Sequence, residues 1–294
     1  MYHLKERGAA LIMVLMIVAV MSLVVSNMLH RNHLLVQEAS MLKQYAQAKL
    51  EAQEARSKLL YLLMTSSVWS SGASNKDIAQ NSLDKRFNFY GSPFDFEGGT
   101  VTLQSESGLI SMIPFNRDGL RSLLRHLDVE EKQARIILDS IADWIDEDDF
   151  VRLNGAEKLF YNKPGLPRNS DIQTIDELKM IRGVTPEIWD KIAPYLTIFG
   201  YSINPRYVPD EIAGFNSSAS FADKLKKYRK ERNDADGSNF WEESGEESLA
   251  YPGDRLRIKI SVSKDLASYT ESLVLIRTSE QTQPFVIAEL ISGG

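Results

Sequence analysis

Cysteine is absent from the 294 residues. That fits a reducing compartment as well as an oxidising one in which no bridge is used. Histidine is sparse: His3, His30, His33 and His126 stand outside any H-x-x-x-H or C-x-x-C setting, so the usual zinc signatures are missing. G-x-S-x-G, Walker and G-x-G-x-x-G patterns are missing as well. Enzyme chemistry has no foothold, and a non-enzymatic protein is expected. A basic surplus is also lacking, with 34 Lys and Arg against 40 Asp and Glu and a net charge of −6. Nucleic-acid affinity rests on neutralising phosphates, so no nucleic-acid partner is expected.

Charge is missing altogether from Ala9 to Val25. With the tolerant Ser26, Asn27, Met28 and Leu29, this run reaches the roughly 20 residues that a bilayer core requires. Lys5 and Arg7 precede it and only Arg31 follows closely, which points to a cytoplasmic N-terminus. Glycine and proline are missing from Leu34 to Met64, a segment rich in good helix formers. Leu35, Ala39, Leu42 and Ala46 recur at helical spacing, and Ala52, Ala55, Leu59 and Leu62 or Leu63 resume it. One helix from Ala9 to Thr65 would be about 85 Å long. Its first half would lie in lipid and its second would lay an apolar face on a globular domain. A secretory signal is cut behind its apolar region; here the small-residue step Gly8-Ala9 lies in front of it, so processing would leave the helix on the mature chain.

Past a polar exit at Val68–Asn75, Phe87–Phe96 alternates aromatic residues, Gly98-Gly99 leads into Val101–Ser105, and Leu109–Ile113 follows. These read as short antiparallel strands with glycine turns that cover the stem. From Arg117 the period turns helical. Leu120, Leu123, Leu124 and Leu127 mark one helix. Asp128 with Glu131 reads as the capping box of a second, carried by Ala134, Ile137, Leu138, Ile141 and Ile145. An acidic loop follows, in which Asp146, Asp148 and Glu157 occupy positions one, three and twelve of an EF-hand count. Val151 holds the sixth position, where an EF-hand needs glycine, so the loop is not an EF-hand. A second acidic stretch offers Asp234, Asp236 and Glu243, with Arg232 at its first position; a polar loop is the competing reading there. Leu178–Ile192 resembles one helix-hairpin-helix unit, with Thr185 where a second glycine is common, and packing is its expected role. Lys224–Arg232 is basic but neighbours Glu242–Glu247, so a locally neutralised, solvated helix is expected. Arg255–Val262 alternates strictly, and Ser272–Arg277 and Pro284–Ile291 supply two more strands.

Gly8 followed by Ala9 and a long apolar helix resembles the cleavage site of type IV prepilins and pseudopilins, cut after the glycine. Most such proteins carry glutamate at the fifth mature position, where this chain has Met13. A carboxylate in lipid is costly unless paired, and its usual partner is the N-terminal amine of a neighbouring subunit. Lack of it resembles the type II secretion minor pseudopilin K family, whose members sit at the filament tip. Asp143-Trp144-Ile145-Asp146, Asp148-Asp149, Gly155-Ala156-Glu157 and Tyr161 resemble that family's acidic loop. Ile175–Leu178, Ile181–Thr185 and Pro194–Leu196 resemble its helical insertion. The chain departs from the pattern at Ile203–Asp210, where only the first asparagine of the family's strand remains.

The resemblance implies an α+β fold, a pilin-like long N-terminal helix packed on an antiparallel sheet, with a large α-helical insertion domain. It divides the chain into a leader (1–8), a transmembrane stem (9–66), a first sheet segment (67–116), the insertion (117–250, with the hairpin unit near 172–199) and closing strands (251–294). It implies cleavage by prepilin peptidase between Gly8 and Ala9, methylation of the new N-terminus, and a single-pass inner-membrane protein with its C-terminal domain in the periplasm. The implied partners are the minor pseudopilins I, J and H, the major pseudopilin G, the assembly platform and the lipid bilayer. It implies calcium, with Asp146, Asp148, Asp149 and Glu157 as candidate ligands and Asp234, Asp236 and Glu243 as the weaker set; a solvated acidic turn is the competing reading. A type IV pilus minor pilin and a membrane-anchored periplasmic ligand- or nucleic-acid-binding protein are the alternatives.

Overall fold

A computed structural model describes residues 3–72, 75–200, 202–215, 219–234, 251–280 and 282–293. The chain begins with a single helix, α1, His3–Thr65. It extends beyond the expected start at Ala9, so the leader and stem share one uninterrupted backbone. The apolar run stands free, with Met13 65% exposed, and the helix is long and apolar enough to cross a membrane. Two short helices follow, α2 (Val68–Ser71) and α3 (Asn75–Gln80), then strands β1 (Phe94–Phe96), β2 (Gly99–Ser105) and β3 (Ile110–Ser111). Helices α4 (Arg117–His126), α5 (Glu131–Ile145), α6 (Lys158–Tyr161) and α7 (Pro186–Ile192) lead to β4 (Leu196–Thr197) and α8 (Ala219–Asp234). Strands β5 (Arg255–Ser263), β6 (Ser268–Arg277) and β7 (Phe285–Gly293) close the chain.

Five strands form one antiparallel sheet in the order β1-β2-β5-β6-β7. The alternation of β5 is realised: Leu256, Ile258, Ile260 and Val262 are buried towards α1. The stem meets this face through Ala48, Ala52, Ala55, Leu59 and Leu63, none more than 2% exposed. Three alanines in that stripe let helix and sheet approach closely, while Leu59 and Leu63 each gain about 1.5–3 kcal/mol from burial. Arg56 of α1 pairs with Oε2 of Glu271 of β6 at 3.1 Å, which gives one oxygen of this buried carboxylate a partner. The earlier part of the expected stripe does not pack: Leu35 and Leu42 are 60% and 69% exposed, and Ala39 and Ala46 are exposed too. Ala46 is about 200° of helix turn from the buried Ala48, so this earlier stripe lies on a different side of the helix from the one that meets the sheet.

The β5–β6 turn lies towards the apolar end of the stem, since Leu266 N–H donates to Gln44 and Lys264 pairs with Glu51 at 2.6 Å. Chain direction then puts Ser105, the end of β2, and Arg255, the start of β5, at the opposite end of the sheet. The described residues between them form an insertion at the end remote from the apolar run. It starts at residue 106, earlier than the expected 117. Leu109–Ile113 is accordingly no strand of the main sheet. Ile110 and Ser111 pair in parallel with Leu196 and Thr197, and Ile110 and Met112 belong to the insertion's own core. Of Phe87–Phe96, only Phe94–Phe96 is strand; Phe87 and Phe89 fill the first core as irregular chain.

Leu120, Leu123 and Leu124 of α4 and Ala134, Ile137, Leu138, Ile141 and Trp144 of α5 carry that second core. The expected capping box fails. Asp128 has φ +56° and ends the turn after α4, while α5 starts from Glu130 without a side-chain cap. Side chains fasten the insertion to the sheet: Gln104 donates to the Tyr207 carbonyl at 2.9 Å, Arg255 to that of Phe199 at 2.6 Å, and Arg257 pairs with the buried Glu106 at 3.0 Å.

Candidate functional site

α5 is amphipathic with a second, polar seam. Its apolar side feeds the core, while Asp139 and Asp143 are four residues apart on a face that is also buried. The acidic loop folds back over this seam. Asp139 accepts from Arg117 at 2.5 Å and from the Asn154 side chain at 2.8 Å. Burial pushes its carboxyl up, but these donors outweigh burial and hold it below the usual range. Asp143, fully buried, accepts from the Arg152 guanidinium at 2.7 Å and from the Arg152 backbone N–H at 3.2 Å. The same guanidinium pairs with Asp146. Gly155 is required here, because a Cβ on it would lie 1.9 Å from Asp143 Oδ2. The hairpin supports the loop from beneath: Arg182 donates to the Gly155 carbonyl at 2.7 Å, and Trp144 packs edge-on against Tyr161.

The sequence-predicted ligands are distributed unequally around this centre. Glu157 is 6% exposed, and both of its carboxylate oxygens are buried without a hydrogen-bond partner. Its pKa rises to about 7, through desolvation first and then through the charges of Asp143, Asp146, Asp149 and Asp148. Asp146 keeps one oxygen on Arg152 and leaves Oδ1 buried and unpartnered. Asp148 and Asp149 are exposed; Asp148 accepts from the Phe150 N–H at 2.8 Å and Asp149 lies 3.4 Å from Asn169. Among the described residues, no three carboxylates or histidines converge on one metal-holding point. The arrangement is a half-built cradle. Arg152 supplies one positive charge between Asp143 and Asp146, and three buried carboxylate oxygens lack a donor. An all-oxygen set with orphaned acceptors suits a hard cation such as Ca²⁺. Asp143 and Arg152 were not singled out as functional in the sequence, although the four-residue spacing of Asp139 and Asp143 was a legible sign of a polar helix face.

Of the second acidic set, Asp234 ends α8, and Asp236 and Glu243 lie outside the described residues, as does Glu242–Glu247. The basic helix α8 is not wholly solvated. Arg229 is 4% exposed, pairs with Asp210, donates to the Arg206 and Val208 carbonyls, and stacks 3.8 Å from the Tyr90 ring centre. In the hairpin unit, Gly183 at φ +92° packs on Ile136 and Ile137, and its carbonyl accepts from Gln133 at 2.5 Å. Thr185 caps α7 through the Ile188 N–H. Gly183 is thus engaged with α5 and Thr185 with α7.

The family model for type II secretion system protein K matches residues 103–200, the span that holds the acidic loop and hairpin. The type II secretion system protein K of Aeromonas hydrophila is 28% identical over 209 residues, 65% of this chain and 63% of that protein. That of Klebsiella pneumoniae is 26% identical over 205 residues, 65% of this chain and 62% of that protein. The alignments thus span just under two thirds of the length of the curated relatives. Among solved structures, the GspK-GspI-GspJ complex from the enterotoxigenic Escherichia coli type 2 secretion system includes a chain of like fold. The TM-score is 0.54 and the identity 16%, covering 87% of this chain and 99% of that one.

Proposed function

We propose that this chain, which resembles the type II secretion system protein K family over residues 103–200 and along its curated relatives, is a minor pseudopilin anchored in the inner membrane by α1, with its folded part in the periplasm. Prepilin peptidase removes Met1–Gly8, and the helix from Ala9 packs with those of pseudopilins I, J and H at the tip of a filament of pseudopilin G. The tip primes assembly, and the growing filament pushes folded proteins through the outer-membrane secretin. The observation that carries this reading is the placement of the insertion, the described residues between 106 and 254, at the end of the sheet away from the apolar run. A head of that size is suited to cap a filament, since a subunit stacked above it would have to pass it. Met13 agrees, because it leaves no carboxylate to hold the amine of a subunit ahead. The solved relative in complex with GspI and GspJ supports the choice of partners.

Calcium belongs to this proposal. Glu157, with Asp146 and the exposed Asp148 and Asp149, would hold it, and its charge would answer the orphaned buried oxygens. The ion would tie the loop to α5 without chemistry of its own.

N-terminal sequencing of the membrane-extracted protein is expected to begin at Ala9, and a Gly8 substitution is expected to retain Met1. Co-expression with pseudopilins I and J is expected to yield a complex on affinity purification. An intact Met1 in the wild-type protein alongside an active peptidase would overturn the reading. For calcium, melting in chelator against millimolar CaCl₂ is expected to show a higher Tm with the ion, by mass action on the native state; coincident curves would remove the ion from the proposal.

A further inference from the structure

β7 ends the sheet, and its outer edge has no strand beside it among the described residues. The opposite edge is only the three-residue β1, with Phe94 buried. β7 spans nine residues. Edge strands of this length are commonly protected by lysine, proline or a covering element, because a row of open N–H and C=O groups templates pairing with another chain. Among the described residues β7 has none of these three; its register shifts by one residue at Ala288, next to Glu289, a bulge that interrupts the ladder locally without covering the edge. Between Phe285 and Gly293 there is no Lys, Arg or Pro. The stem lies across β2, β5 and β6. The register places Ile287 and Leu290 opposite Leu275 and Leu273, on the face that the stem covers elsewhere. Here that face is open: Ile287 is 42% and Leu290 54% exposed. On the other face Ile291 is 60% exposed.

One charge marks the strand. Glu289 is exposed at its midpoint, and no ion pair takes it up among the described residues. Its field reaches inward: the buried Glu106 carboxyl is raised by desolvation first, with Glu289 adding in the same direction. This charge decides between occupants. Two copies of β7 paired antiparallel over their full length would set Glu289 directly opposite Glu289, which is unfavourable for a cross-strand pair. A strand from a different protein, apolar in alternation and carrying lysine or arginine at its centre, matches both the hydrogen-bonding edge and the charge.

We propose that the outer edge of β7 is a strand-addition site for a partner protein's β-strand bearing a basic residue opposite Glu289. Backbone pairing would supply the affinity, and the Glu289 contact the register. The proposal stands on sheet geometry and holds whether or not the N-terminus is processed at Gly8.

The test uses the full chain in phosphatidylcholine nanodiscs and two nine-residue peptides of alternating valine and threonine, one with lysine at the centre and one with glutamate. Hydrogen–deuterium exchange is read at residues 285–293 and affinity by fluorescence anisotropy at low salt. The lysine peptide is expected to slow exchange in β7 and to bind about fivefold more tightly than the glutamate peptide. Glu289→Lys, at an exposed site, is expected to invert that order. Unchanged exchange in β7 with the lysine peptide, or a preference that Glu289→Lys does not alter, overturns the proposal. A protein that sediments as a dimer with β7 protected before any peptide is added also overturns it, in favour of a second copy.

Discussion

Glu157→Gln is the sharpest probe of the acidic loop. An acid whose pKa is higher folded than unfolded holds more protons in the native state between the two values. The native state therefore loses stability as pH rises through that window. For Glu157 the window runs from the ordinary 4.5 to about 7. Fully crossed, it corresponds to a penalty of about 3 kcal/mol for the cation-free protein. Glutamine is as polar as the protonated acid but cannot ionise, so it escapes the penalty. In chelator the variant is expected to match the wild type near pH 4.5 and to be the more stable protein at pH 8. The gain corresponds to a Tm higher by roughly 6–12 °C at the usual conversion for a large domain. Calcium should reverse the order, raising the wild-type Tm at pH 8 while moving the variant less. The assay is a melt followed by intrinsic tryptophan fluorescence at several pH values, with and without the ion. A Tm difference in chelator that is the same at pH 4.5 and pH 8 would refute the reasoning, because it would mean that Glu157 ionises in the fold as freely as in the unfolded chain.

Gly155→Ala places a methyl group 1.9 Å from Asp143 Oδ2 and is expected to cost about 1–3 kcal/mol as an overpacking change, measured by urea denaturation. Ala52→Leu puts a larger side chain at a fully buried stem position. It should destabilise by a similar margin of about 1–3 kcal/mol, with faster proteolysis at the stem–sheet contact. Arg257→Ala strands Glu106, whose side chain is 1% exposed, and is expected to cost about 3–5 kcal/mol. The double variant with Glu106→Gln should recover part of that loss, and full additivity would show that the two side chains are not coupled.

Much of this architecture was legible because its signals are local. An uncharged run followed by thirty-one residues without glycine or proline can be little but one long helix, and the period-two pattern of Arg255–Val262 can hardly be anything but a half-buried strand. The spacing of Leu120, Leu123 and Leu124 and of Ala134, Ile137, Leu138 and Ile141 identified the insertion's core in the same way. Asp146, Asp148 and Glu157 were visible as a spacing, though not as a contrast between the exposed Asp148 and the buried, unpartnered oxygens of Asp146 and Glu157. The misses share one cause. Leu109–Ile113 has the composition of a strand but pairs with Leu196–Thr197, more than eighty residues away, and no local pattern encodes a distant partner. Leu35 and Leu42 share a helical period with the buried stripe but lie on a different side of the stem, and which side is covered is decided by where the sheet docks. Asp128 has the chemistry of a cap but adopts φ +56° because the chain must turn between α4 and α5. The sequence alone determined the stem, the strand and helix periods and the acidic character of the loop, since each follows from residues within a few positions of one another. Only the tertiary structure decided which carboxylates are buried, that Arg152 stands between Asp143 and Asp146, and that β7 is left with an open edge. Those outcomes depend on which distant segments exclude water from one another.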